Sequence, residues 1–172
     1  ALADYGYREV GQEYLQNVLN TDKKLDAYDS GRIYYYLGDY QKAYLALEEA
    51  KGKGGVDSYL YLGKAYAATG DYNYASSVYS NYLSKQGPDA EIYNQLGLCE
   101  LAKKDYQKAL EAFQAGKQIE GNSLMQTLSF NEIVAYEYLQ DYQKAAVLLK
   151  AYLQNYPDDQ AAIREQQFLS TR

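Results

Sequence analysis

The chain has 172 residues, 47% hydrophobic and 23% charged, enough apolar material for one domain of ordinary size with its own core. Its formal net charge is −6 and it holds no basic run, which excludes the electrostatics that phosphate binding needs and argues against a nucleic-acid partner. It has no His and a single Cys, so the usual proton shuttle, the commonest metal ligand and any internal disulfide are all missing.

No apolar stretch approaches the roughly 20 residues that span a bilayer, so no transmembrane segment is expected. Residues 1–23 predict one leading helix, with Tyr7, Val10 and Tyr14 on one stripe. A punctuation then recurs four times: Gly38-Asp39-Tyr40-Gln41-Lys42-Ala43, Gly70-Asp71-Tyr72-Asn73-Tyr74-Ala75, Lys104-Asp105-Tyr106-Gln107-Lys108-Ala109 and Gln140-Asp141-Tyr142-Gln143-Lys144-Ala145. Successive marked Ala residues are 32, 34 and 36 apart, a near-constant period that marks a repeat architecture.

Each punctuation sits between two helical stripes. In the second occurrence Tyr59, Leu62, Gly63 and Tyr66 form the stripe before it, and Ala75, Tyr79 and Tyr82 the stripe after it. Gly38 and Gly70 fall where a helix end takes a positive φ, and the Asp that follows can cap the next helix. Gly31, Gly63 and Gly97 each stand 12 residues before the marked Ala. A Gly inside a helix costs about 1 kcal/mol relative to Ala, so this shared register predicts close helix approach.

The predicted organisation is one domain, 1–172, of ten helices. It has a half unit at 1–23, helix–turn–helix units at 24–55, 56–89, 90–123 and 126–159, and a solvated capping helix at 160–172 carrying Ala162, Ile163, Gln166 and Gln167. The half unit aligns Tyr7, Val10 and Tyr14 with Tyr40, Ala43 and Leu47, the second-helix positions of the first full unit. A chain that starts with Ala reads as a fragment or a processed form, and its compartment stays open. The 23 Tyr against three Phe and no Trp suit helix faces packed on one side and wet on the other.

This pattern resembles the tetratricopeptide repeat. The second unit carries it as Tyr59, Leu62-Gly63, Tyr66, Ala75, Tyr79 and Gly87-Pro88; the third as Tyr93, Leu96-Gly97, Ala109 and Phe113, with Glu100 where Tyr would stand. The first keeps Gly31, Tyr34, Ala43 and Leu47 but has Ala27 and Ser30 for the aromatic and the Leu. The fourth keeps Tyr136, Ala145, Leu149 and Pro157 but has Ser129, Glu132 and Ile133 for the aromatic, the Leu and the Gly. The resemblance implies an all-α fold, a right-handed α-solenoid (superhelix) of stacked antiparallel helix–turn–helix units.

It also implies that the face of each first helix turned away from its partner lines a concave, peptide-binding groove. The candidate groove residues are Tyr28, Arg32, Tyr35 and Tyr36 in the first unit, Tyr61 and Lys64 in the second, Asn94 and Gln95 in the third, and Asn131 and Tyr138 in the fourth. Tyr and Arg are favoured interface anchors, and Asn and Gln both donate and accept toward a peptide backbone. The Lys-and-Asn clamp with which some members of that family hold chaperone C-termini is missing. Tyr28 or Leu60 stands where Lys is required, Tyr61 or Gln95 where Asn is, and Glu91 where another Lys belongs.

Catalytic readings have little to stand on. Lys51-Gly52-Lys53-Gly54-Gly55 lacks the spacing and terminal Lys-Ser/Thr of a phosphate-cradling loop and reads as a turn between units. Cys99 has no His to activate it and reads as a packing thiol, while Glu48-Glu49 reads as a solvated face. The expected function is a non-catalytic scaffold for a protein or peptide, with no cofactor and no metal. The alternative is a structural spacer or self-assembly segment of a larger chain; a homo-oligomer is allowed but not indicated.

Overall fold

The computed structural model describes residues 8–21 and 24–172; Tyr7 lies outside them. The described residues form ten helices and no strand: α1 (Arg8–Thr21), α2 (Ala27–Leu37), α3 (Tyr40–Glu49), α4 (Gly55–Ala68), α5 (Tyr72–Gln86), α6 (Ala90–Ala102), α7 (Tyr106–Lys117), α8 (Met125–Tyr138), α9 (Tyr142–Asn155) and α10 (Gln160–Leu169). They fall into two compact units, residues 1–82 and residues 83–172.

The recurring punctuation is a turn that serves two helices at once. Gly38, Gly70, Lys104 and Gln140 all take left-handed φ, at 81°, 85°, 65° and 63°. Their N–H groups donate to the carbonyls of Tyr35, Ala67, Leu101 and Glu137, and the N–H of each following Asp donates to Tyr34, Tyr66, Glu100 or Tyr136. That pair of bonds satisfies carbonyls a helix end would otherwise leave open. Each Asp then turns its carboxylate forward. Asp39, Asp71, Asp105 and Asp141 accept the N–H of Lys42, Tyr74, Lys108 and Lys144 at 3.2, 3.1, 3.4 and 3.0 Å. Lys104 and Gln140 hold a conformation that costs a non-Gly residue about 1–2 kcal/mol, which the bonds of the turn offset.

In the first unit, small residues set the helix spacing. A Cβ placed at Gly31 would lie 2.5 Å from Leu47, and one at Gly63 would lie 2.3 Å from the Tyr79 ring. Leu47 and Tyr79 are fully buried beside Ala43 and Ala75, so α2 meets α3, and α4 meets α5, with no room for a side chain at the glycines. Helix α1 differs. Val10 is 57% and Tyr14 63% exposed, although they align with buried Ala43 and Leu47. Those positions are covered by the first helix of their own hairpin, and among the described residues α1 has no such helix.

In the second unit, Gly97 repeats the device: a Cβ there would lie 2.3 Å from the fully buried Phe113 ring. The fourth hairpin reaches the same end with aliphatic residues. Ile133 and Leu149 are buried together with Ala145 and Tyr152, and α10 contributes Ala162 and Leu169 to the same cluster. Helix α10 thus closes the core of this hairpin while Gln166 and Gln167 stay exposed. The departures from the repeat pattern carry polar anchors. Buried Glu132 accepts from Lys117 Nζ at 2.5 Å and from Gln114 Nε2 at 2.8 Å, tying α8 to α7. Buried Glu100 accepts from Lys103 Nζ at 2.9 Å.

A second acid links α8 to α10. Glu137 Oε1 is buried without a hydrogen-bond partner among the described residues. Burial first, then the charge of Glu165 and a hydrogen bond to it, push the Glu137 carboxyl from 4.5 up to about 7. A carboxyl raised on folding stabilises most while protonated, below about 4.5, and that contribution is lost as pH climbs through about 7. Helix α10 is therefore expected to open more readily at about pH 8.5 than at about pH 5.5. Hydrogen exchange of the α10 amides, corrected for the intrinsic rate, reads this directly, and Glu137→Gln should flatten the difference. Equal opening at both pH values in the unaltered chain would refute it.

Candidate interaction site

Five of the candidate groove residues meet in the first unit, on the side of α2 and α4 carrying Tyr28, Arg32, Tyr35, Tyr36 and Tyr61. Along α2, Tyr28, Arg32 and Tyr36 follow at intervals of four, which stacks them on one helical face. Tyr61 of α4 lies edge-on to Tyr35 and Tyr36, with ring centroids 5.4 and 5.8 Å apart. Tyr35 also meets Tyr36 at 5.6 Å and Tyr40 at 5.7 Å. Edge-to-face contacts of this kind add about 0.5–1.5 kcal/mol each beyond the area they bury, so the cluster is fixed in shape. The Tyr36 and Tyr61 hydroxyls share a hydrogen bond of 2.6 Å, while the Tyr36 ring remains 54% exposed.

Arg32 is set into these rings. Its guanidinium carbon lies over Tyr28 at 5.2 Å and over Tyr61 at 5.3 Å from the ring centroids. Asp29 approaches one guanidinium nitrogen at 3.8 Å, and the Tyr28 hydroxyl donates to Asp57 at 3.3 Å. Burial works against the Arg32 charge, but Tyr28 and Tyr61 outweigh it and raise the pKa above the ordinary arginine value. The hydrogen bond to Tyr61, then burial, pushes the Tyr36 phenol up to about 12, and burial raises Tyr35 and Tyr28. The face presents one permanent cation among tyrosine rings. Lys64 is half-buried one turn beyond Tyr61.

A second tyrosine group in the same unit escaped the sequence reading. Tyr44 and Tyr66 stack at 4.6 Å with rings 9° from parallel, and Tyr74 leans on Tyr66 at 4.6 Å. The Tyr66 hydroxyl donates to Glu48 at 3.3 Å, and Glu48 faces Lys51 at 3.5 Å. Glu48 is therefore half-buried and engaged rather than part of a solvated face; Glu49 is exposed as expected. The signal was available in the repeat register, which sets Tyr66 between the second helices of its own and the preceding hairpin.

In the second unit the candidates do not form one cluster. Asn94 is buried and accepts from Asn131 Nδ2 at 2.9 Å, so these two amides bond each other between α6 and α8. Gln95 donates to Glu91 at 2.9 Å on its own helix. Tyr138 is exposed and stacks on Tyr106 at 4.9 Å.

Cys99 is buried, and burial raises its thiol to about 12, so it stays protonated. No group of three or more His, Cys, Asp or Glu among the described residues is placed to hold a metal ion. No described helix is long and apolar enough to cross a membrane. The Gly-rich stretch is the turn between α3 and α4, with Gly52 and Gly55 at positive φ.

The tetratricopeptide repeat family matches residues 60–123, and a second description of the same repeat matches residues 130–159; together they span more than half of the chain. The chain belongs to the tetratricopeptide repeat family. Its hairpins are also similar in sequence to tetratricopeptide repeat protein 21B of Xenopus laevis, 28% identical over 153 residues. That match covers 88% of this chain and spans only about a tenth of the relative, 10% of its length. Among solved structures, a crystal structure of MamA superposes with a TM-score of 0.72 at 21% identity, covering 83% of this chain and 78% of that one. MamA from Desulfovibrio magneticus RS-1 gives 0.69 at 20% identity, with 92% and 91% covered. The second tetratricopeptide domain of human RPAP3, solved in complex with an HSP70 peptide, gives 0.57 at 16% identity, with 64% and 90% covered. These likenesses establish the fold, an all-α tetratricopeptide solenoid.

Proposed function

We propose that this tetratricopeptide chain is a non-catalytic scaffold that binds a protein or peptide along the faces of its first helices. The observation that carries the reading is the rigid cluster of Tyr28, Arg32, Tyr35, Tyr36 and Tyr61, which sets partly exposed aromatic rings and one cation on neighbouring helices α2 and α4. Pre-ordered Tyr and Arg side chains lose little freedom on binding and are the residue types that most often carry interface energy. Lys64 is a further proposed contact on the first unit, and Asn94, Gln95, Asn131 and Tyr138 are the proposed contacts of the second unit taken by itself, with Asn94 acting by fixing Asn131. That the RPAP3 domain of the same fold was solved with an HSP70 peptide supports a peptide as the ligand class.

Panning a display library of 12-residue peptides on the chain supplies probes for the test. Tyr35→Ala combined with Tyr61→Ala is expected to weaken the selected peptides roughly 10-fold or more, with the far-UV circular dichroism of the helices unchanged. Undiminished affinity in that double variant removes the α2–α4 face from consideration. The alternative, a spacer or self-assembly segment, draws on the exposed Val10 and Tyr14 of α1 and on the much greater length of the Xenopus relative. Sedimentation in which mass rises with concentration, with no peptide retained, favours that alternative.

A further inference from the structure

We infer that a pocket in the fourth hairpin, open where Ser129 replaces the tyrosine of the second and third, takes a tyrosine side chain from a partner polypeptide. Ser129 stands four residues before Ile133, as Tyr59 and Tyr93 stand four before Gly63 and Gly97. In the second hairpin Tyr59 meets Tyr82 edge-on, with ring centroids 5.1 Å apart. Tyr152 holds the register of Tyr82, seven residues after the marked Ala. The fourth hairpin thus keeps the wall and lacks the ring that rests on it.

A cavity of about 260 Å³ opens beside Ser129, walled by Ile133, Leu148, Tyr152 and Tyr156. Tyr152 is fixed in place. Its hydroxyl donates to Asp159, and its ring meets Phe130 at 5.7 Å and Tyr156 at 4.8 Å. The volume falls below the roughly 300–1,000 Å³ of pockets that enclose a whole small molecule, and suits one anchoring side chain of a longer ligand. Met125, Ser129, Glu132 and Ile133 run along one stripe of α8, on the side opposite Asn131 and Tyr138. The pocket therefore stands or falls apart from the first-helix faces proposed above.

The lining favours a neutral ring over an ion. Lys117 and Glu132 also border the cavity, but they engage each other, and Glu132 accepts a second bond from Gln114. A charged ligand group would compete with that pair from one side, whereas a neutral ring leaves it whole. Two polar groups remain for a hydroxyl. Ser129 brings its own, and the amide oxygen of Asn155 is left over when its Nδ2 donates to the Ala151 carbonyl. A phenol uses both an apolar wall and such an acceptor, which a phenylalanine ring does not.

Met125 lines the pocket and is the only Met of the chain, so isotope labelling of its methyl group gives a single NMR signal. The probe is p-cresol, a tyrosine side chain without its backbone. It should shift that signal saturably, with a Kd on the order of 1 mM. Ser129→Tyr is expected to fill the pocket from within and abolish the shift, with Tm unchanged or higher; Ser129→Leu, a smaller filler, should weaken p-cresol several-fold. Tyr35→Ala with Tyr61→Ala should leave p-cresol binding unchanged, which separates this pocket from the α2–α4 face. Display peptides retained by the unaltered chain and lost on Ser129→Tyr should share a Tyr. No saturable shift in the unaltered chain, or a shift undiminished in both Ser129 variants, overturns the pocket. Binding of p-cresol with no Tyr among the peptides that depend on Ser129 overturns the polypeptide partner and points to a free phenol.

Discussion

Gly97→Ala is expected to destabilise the chain by about 1–3 kcal/mol, a large effect for one added methyl group. The Cβ would arrive 2.3 Å from the ring of Phe113, which is fully buried and held on every side, so α6 must move away from α7. Removing the obstacle should remove most of that cost. Phe113→Ala alone is expected to cost about 3–5 kcal/mol through the cavity it leaves. On that background Gly97→Ala should cost less than about 1 kcal/mol, because its methyl group then enters empty space. Urea unfolding of the four chains gives the coupling. Simple additivity would mean that the glycine is not there to admit the ring.

Lys117→Met should be comparably damaging, because it strips the cation from a buried carboxylate. Glu132 is held by Lys117 at 2.5 Å and by Gln114 at 2.8 Å, with its side chain 8% exposed. Breaking such a pair from one side costs about 3–5 kcal/mol, toward the low end here because the Gln114 bond survives. Lys117→Met with Glu132→Leu should come back to within about 1 kcal/mol of the unaltered chain. Leu is what the second and third hairpins carry at this register, as Leu62 and Leu96, and Leu62 is fully buried there. A double variant no more stable than Lys117→Met alone would show that the pair does more than fill an apolar position.

These two sites also mark the boundary of what could be read from residue order. The close approach at the glycines was foreseeable, because Gly31, Gly63 and Gly97 share a register and each faces the residue 16 positions on. The hairpin turns were foreseeable for the same reason: Asp39, Asp71, Asp105 and Asp141 act on backbone groups within five residues. Glu132 was visible only as a departure from the pattern. Its partners Gln114 and Lys117 sit 18 and 15 residues earlier on another helix, at positions the repeat leaves unconstrained.

The candidate site divides along the same line. Tyr28, Arg32 and Tyr36 were legible as one face because intervals of four on a helix dictate it, and Tyr61 followed from the repeat. Asn94 was not legible as a buried amide, since its partner Asn131 lies 37 residues away. Glu48 was misread because Tyr66, which donates to it, belongs to the next hairpin. Pairings between neighbouring first helices depend on which side chains two units happen to present, and no local spacing encodes them.

The double-duty aspartate has a consequence for how such a chain changes length. Each bend is completed inside a few consecutive residues, so nothing upstream or downstream has to be consulted to make it. The drift of the period from 32 to 36 can then be absorbed in the joins between bends, such as the segment between α7 and α8, longer than the one between α5 and α6. Whole hairpins become modular cassettes: splicing in those joins alters how many there are and leaves each bend intact, provided that a pair crossing the join, such as Lys117 with Glu132, is kept.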